Sequence, residues 1–168
     1  VLKSNNTKYF QILIGFFILL WVIFFPNAPY IVTDFVHLRQ KFAAPVWFDI
    51  LLIFSFAWNG LILAFSSLYL VQDFVREKTS NKLSWLFVLV SIGLTGFGIY
   101  LGRFAGWNSW DLFVYPNFIF GDIKETILNP IENKDSIQVT LVFSVFLGIA
   151  YSTLVAFLNI KNEKISKK

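Results

Sequence analysis

Apolar residues run almost unbroken over four stretches of the chain, at about 9–25, 46–70, 83–101 and 137–158, and the segments between them are polar or mixed. A run of roughly 17 to 25 apolar residues makes a helix long enough to cross the roughly 30 Å hydrocarbon layer of a bilayer. Inside that layer each backbone N–H and C=O must pair within its own segment, which selects helices. The pattern therefore predicts an all-α, multi-pass transmembrane bundle, a single integral membrane domain over residues 1–168 with four spans. Helical spans alternate sides, so the two longer connections, 26–45 and 102–136, emerge on one face, and the N-terminus, the 71–82 loop and the C-terminal tail on the other.

Both long connections carry their own helical signals. In the first, Thr33 suits an N-cap and Asp34 the first turn of a short helix running to about Phe42. Phe35, Leu38 and Phe42 then fall on one side, with Asp34, His37 and Lys41 on another. In the second, Ile119, Phe120, Ile123 and Ile127 form an apolar stripe against Asp122, Lys124 and Glu125, ending before Asn129-Pro130. Two short helices lying in the membrane interface are expected.

Small residues recur every fourth position in the last span, at Ser144, Gly148, Ser152 and Ala156, and at the end of the third, at Gly98, Gly102 and Gly106. Such faces let helix backbones approach closely. They point to helix contacts, either within this chain or with other membrane subunits. In the second span Ser55 and Asn59 lie one turn apart, and Asn59 sits about 15 Å beyond Asp49 along the helix. An amide at that depth calls for an interhelical hydrogen bond or for a water-filled pocket of which it forms the floor.

Composition agrees with the span pattern and removes several function classes. The chain is 57% hydrophobic and 14% charged, against roughly a quarter charged in a soluble domain. With no Cys it has no disulfide, thiolate metal site or cysteine nucleophile, and with one His it cannot build a bis-His haem or multi-histidine centre alone. No cofactor is expected. The net charge of +4 comes from basic residues beside the spans rather than from a patch interleaved with aromatics, so nucleic acid is not an expected partner. Nine Lys and Arg flank the spans on the N-terminal, 71–82 and C-terminal side, against five in the much longer opposite connections. By the positive-inside rule both termini are cytoplasmic, in an inner membrane, and the long connections face outward. The chain starts at Val1, and a further hydrophobic segment upstream is an expectation.

That topology gathers Asp34, His37, Asp49, Arg103, Asn108 and Asp111 near one outer boundary. Asp34 and His37 at i, i+3 have usable spacing for two metal ligands or for a carboxylate that orients an imidazole, with Asp49 and Asp111 able to complete an oxygen-rich divalent site. Arg103 suits a phosphate or carboxylate through its planar fork. Each has a plainer reading: Asp34 complements a helix N-terminus, and Arg103 snorkels or neutralises Asp49 or Asp111. Trp107 and Trp110 read as interface belt residues.

The ordered set Phe25-Pro26-Asn27-Ala28-Pro29-Tyr30, Thr33-Asp34, His37-Leu38, Trp47 with Asp49, Ser55-Phe56-Ala57-Trp58-Asn59-Gly60, Gly98-Ile99-Tyr100-Leu101-Gly102-Arg103-Phe104 and Trp107-Asn108-Ser109-Trp110-Asp111 resembles a bacterial membrane family catalogued as domain of unknown function 1361. The resemblance implies an integral membrane protein with no assigned activity. Where that family commonly has a basic residue just before Trp107, this chain has Gly106, which argues against a two-arginine anion clamp.

Three functions follow as expectations. The first is a binding or accessory subunit with an extracytoplasmic polar site and membrane lipids or other subunits as partners. The second is a membrane enzyme acting on a lipid-linked or cell-envelope substrate, with Asp34, His37 and Asp49 as acid/base groups or metal ligands. The third is a small transporter using Asn59 and Ser55. Whether the chain is an enzyme stays open at this level.

Overall fold

The computed structural model describes residues 2–38 and 45–166. They form α1 (Leu2–Phe24), α2 (Asn27–Tyr30), a 3-10 segment (Ile31–His37), α3 (Val46–Lys78), α4 (Asn81–Arg103), α5 (Asp111–Val114), α6 (Pro116–Leu128) and α7 (Lys134–Ser166), with no strand among the described residues. Among the described residues four runs are long and apolar enough to cross a membrane: Tyr9–His37, Val46–Lys78, Asn81–Arg103 and Lys134–Asn159. The fold is an all-α multi-pass bundle.

The first run continues past the expected end at Phe25. Pro26 lacks an N–H, yet Tyr30 N still reaches Pro26 O at 2.9 Å, so the chain turns without breaking into a loop and continues as α2 and the 3-10 segment. Thr33 lies inside that segment and does not cap it: its hydroxyl donates to Tyr30 O at 2.7 Å and the residue is buried. The helix expected to run to Phe42 ends at His37, and Phe42 and Lys41 lie outside the described residues.

The loop expected at 71–82 contracts to Thr79 and Ser80, because the polar residues that suggest it prolong α3 instead. Gln72 is buried and accepts a hydrogen bond from Tyr151 of α7, and Asp73 and Arg76 form an i, i+3 ion pair. Ser80 has extended backbone and its hydroxyl accepts from Leu83 N at 3.3 Å, an N-cap that restarts the helix as α4. At 23 residues α4 is about 34 Å long, close to the hydrocarbon thickness, with Lys82 and Arg103 at its ends. The 33-residue α3 is about 50 Å long and outruns it.

The core forms where α3, α4 and α7 meet, around Leu68, Val88, Ile92, Leu147 and Tyr151. The tightest approach is between α4 and α7 at Gly96, where a Cβ would stand 2.5 Å from Thr140 O and 2.6 Å from Ser144 Oγ. Of the small-residue row in α7 only Ser144 is used this way, with its hydroxyl 3.4 Å from Ile92 O. Gly148 meets nothing within 4 Å, and Ser152 and Ala156 are exposed, because Leu147, Tyr151 and Val155 take the packed face.

At the far end of the bundle α2 wedges between α3 and α4. A Cβ at Gly60 would stand 3.0 Å from Ala28 O, one at Gly98 3.1 Å from Pro26, and one at Gly102 2.8 Å from the Tyr30 ring. The absence of side chains at these points lets a backbone turn sit deep between two helices. Gly106 does a different job, adopting φ +79° to reverse the chain after α4. In α6 Pro116 begins the helix, and the packed face is Ile119, Ile123 and Thr126, while Phe120 and Ile127 of the expected stripe are exposed.

Candidate functional site

Arg103, the last residue of α4, reaches across to the 3-10 segment. Its Nε and one terminal nitrogen donate to Thr33 Oγ1 at 2.9 and 2.5 Å, that same nitrogen donates to Asp34 Oδ1 at 2.5 Å, and the other donates to His37 Nε2. The guanidinium also lies over the Tyr30 ring, 4.8 Å from its centroid. A 3-10 helix has three residues per turn, so Asp34 and His37 eclipse one another and face one target together. A guanidinium only donates, so Nε2 of His37 stands opposite it as the acceptor. Thr33 is saturated: its hydroxyl accepts from Arg103 and donates to Tyr30 O, at 4% exposure.

Arg103 is thus neutralised by Asp34. Neither Asp49 nor Asp111, the partners suggested by proximity in the topology, pairs with it. Asp49 lies in the first turn of α3 and makes no hydrogen bond or ion pair among the described residues, consistent with a negative charge complementing a helix N-terminus. Tyr151 touches both Gln72 of α3 and Trp85 of α4, which fixes one level in the bundle; counting along the two helices from there, Asp49 stands about 8 Å farther out than Arg103. Among the described residues no three His, Asp or Glu side chains are close enough together to hold a metal ion.

Asp111 accepts from Asn108 N at 2.7 Å, closing the turn that leads into α5. Asn59 does not bridge helices: its amide donates to Ser55 O in its own helix at 2.8 Å, and both residues lie on the exposed face of α3. Nor does it line the cavity described next. The expected belt residue Trp107 is tied down by its indole N–H, which donates to Asp122 Oδ2 at 2.8 Å, while Trp110 is exposed and packs edge-on against Phe24.

Beside the Arg103 cluster is a cavity of about 480 Å³ between the end of α1, α2, the end of α4, the turn after it, and α5 and α6. Its polar wall is Asn27, Asn108, Ser109 and Tyr30, with Ser109 Oγ donating to Asn27 Oδ1 at 2.9 Å. Its apolar wall includes Ile23, Leu101, Leu112 and Ile119. Tyr30 joins cluster and cavity, since one ring carries the guanidinium on its face, rests on Gly102 and lines the cavity. Sequence reasoning misses Tyr30, Asn27 and Ser109 as site residues. The signal available is their place in Asn27-Ala28-Pro29-Tyr30 and Trp107-Asn108-Ser109-Trp110, two turn-rich segments of one expected face.

A family model described as a protein of unknown function, DUF1361, matches residues 1–150. The chain belongs to the DUF1361 family. The matched residues include α1 to α6, the Arg103 cluster and the whole cavity lining. No curated protein and no solved structure matches the chain.

Proposed function

We propose that this DUF1361 protein is a membrane binding or accessory subunit in which the Arg103 cluster is a structural clasp and the adjoining cavity is the ligand site. One observation carries this reading: Arg103 directs its donors to Thr33, Asp34 and His37, while the neighbouring cavity of about 480 Å³ has a wall of neutral polar side chains, Asn27, Asn108, Ser109 and Tyr30. Ligand sites are concave, mostly apolar and equipped with a few placed polar groups, in the range of about 300 to 1,000 Å³. The distribution of basic residues supports an inner membrane with the Arg103 end turned away from the cytoplasm.

The test is purification from the native membrane in a mild detergent, followed by extraction and mass analysis of bound small molecules and co-purifying chains. A stoichiometric amphiphile lost when the cavity is filled by Ile123→Trp supports the reading. Equal recovery from the filled variant refutes it.

A second reading, an enzyme acting on a lipid-linked or envelope substrate, draws on the Asp34 carboxylate, whose side chain is 44% exposed beside the exposed His37 ring. Asp34→Asn separates the two, because it keeps an acceptor for Arg103 and removes the acid/base group. A folded Asp34→Asn protein that no longer complements a deletion strain supports the enzyme; one that complements fully supports the clasp.

A further inference from the structure

We propose that the cavity takes the uncharged, hydroxyl-bearing head group of a membrane glycolipid, an inference that rests on reading the cavity as the ligand site. Its lining contains no charged side chain among the described residues. The ionic groups around it are already engaged: Arg103 by Asp34, Thr33 and His37, Asp111 by Asn108 N, and Asp122 by the Trp107 indole. A phosphate entering this space would give up part of its hydration and meet no lining cation among the described residues, and that loss is costly. A neutral polyol or sugar carries no such penalty.

The wall offers what such a group needs. Ser109 occupies Asn27 Oδ1, which leaves the Asn27 amide N–H groups to donate; the Asn108 side-chain amide and the Tyr30 hydroxyl have no protein partner among the described residues. These three are neutral and between them both donate and accept, the pattern that matches vicinal hydroxyls. Trp107 and Trp110 line the same space, and an aromatic ring is a surface on which the C–H faces of a sugar can rest.

Position favours a lipid over a free sugar. The cavity lies where the α1 run and α4 approach the end of their apolar length, and Ile23, Leu112 and Ile119 continue the polar wall as an apolar one. A head group held by Asn27, Asn108 and Tyr30 has an aliphatic surface beside it for the start of its chains.

The full chain is reconstituted in phosphatidylcholine nanodiscs doped with equal amounts of monoglucosyl diacylglycerol and phosphatidylglycerol, and lipid retained after transfer to the gas phase is counted by native mass spectrometry. Leu112→Trp fills the cavity, and Asn108→Ala, at an exposed position, removes one polar group without a packing cost. The expected result is retention of one glucosyl lipid at about tenfold or more over phosphatidylglycerol, abolished by Leu112→Trp, reduced about threefold to tenfold by Asn108→Ala, and unaffected by excess methyl glucoside. Phosphatidylglycerol retained equally or better, and lost in Leu112→Trp, overturns the neutral class while leaving a ligand site. Displacement by that excess of methyl glucoside overturns the lipid assignment. Lipid retention unchanged in both variants overturns the cavity as a site altogether.

Discussion

Replacing Arg103 with Met removes the guanidinium while keeping much of its aliphatic stem, and the cost follows from what that group touches. Its side chain is 14% exposed and that of Asp34 44%, so the ion pair is partly screened and contributes about 0.5 to 1 kcal/mol. The bonds to Thr33 are sealed from solvent, and leaving that hydroxyl without its donors costs roughly 1 to 2 kcal/mol. The cation over the Tyr30 ring adds about 0.5 to 1 kcal/mol. Arg103→Met should therefore lose about 2 to 4 kcal/mol. Arg103→Lys, which keeps the charge and loses the planar fork, should fall between. Asp34→Asn should lose about 1 kcal/mol or less, because an acceptor remains and the carboxylate is half-exposed. The assay is reversible unfolding in mixed micelles titrated with sodium dodecyl sulfate and followed by tryptophan emission. An Arg103→Met protein within about 0.5 kcal/mol of the parent, or an Asp34→Asn protein less stable than it, would refute the clasp.

Other substitutions test the rest of the bundle. Gly96→Ala puts a Cβ against Thr140 O and Ser144 Oγ and should cost about 1 to 3 kcal/mol in the same titration, whereas Gly148→Ala, with open space around it, should be close to neutral. Tyr151→Phe strands the buried Gln72 carbonyl oxygen and should cost about 1 to 3 kcal/mol; adding Gln72→Leu should recover part of that loss, and a purely additive pair would show that the two side chains do not interact. Asn59→Leu should leave the unfolding midpoint within about 0.5 kcal/mol, since the amide bonds only its own helix. A drop in oligomer size for Asn59→Leu, measured by light scattering, would show instead that this face meets a second chain.

The span pattern was legible because hydrocarbon imposes it: length and apolarity suffice, and each of the four runs overlaps an apolar stretch of the sequence. The ends were less legible because polar residues there have two uses. Gln72 and Asp73 read as loop, yet one is paired inside the bundle and the other bridges along an exposed helix. The candidate cluster was legible by type and side but not by partner. Spacing puts Asp34 and His37 on one face, but no local rule says that α2 sinks onto Gly60, Gly98 and Gly102 and so brings the 3-10 segment to the end of α4. Asp49 drops out for a similar reason, since the different lengths of α3 and α4 are a tertiary fact. The cavity was not legible at all, because its polar wall comes from two turns, Asn27 to Tyr30 and Trp107 to Ser109, far apart in the chain.

The meeting of those two turns is what clasp and cavity both require, and a cross-link tests it most directly. The chain has no Cys, so Asn27→Cys with Ser109→Cys supplies the only two thiols, at a pair whose present side chains are hydrogen-bonded at 2.9 Å. Treated in native membranes with a short bis-maleimide and digested, the double variant should yield a linked peptide joining positions 27 and 109 within one chain. Two separately modified peptides and no link between them would mean that the turns lie apart.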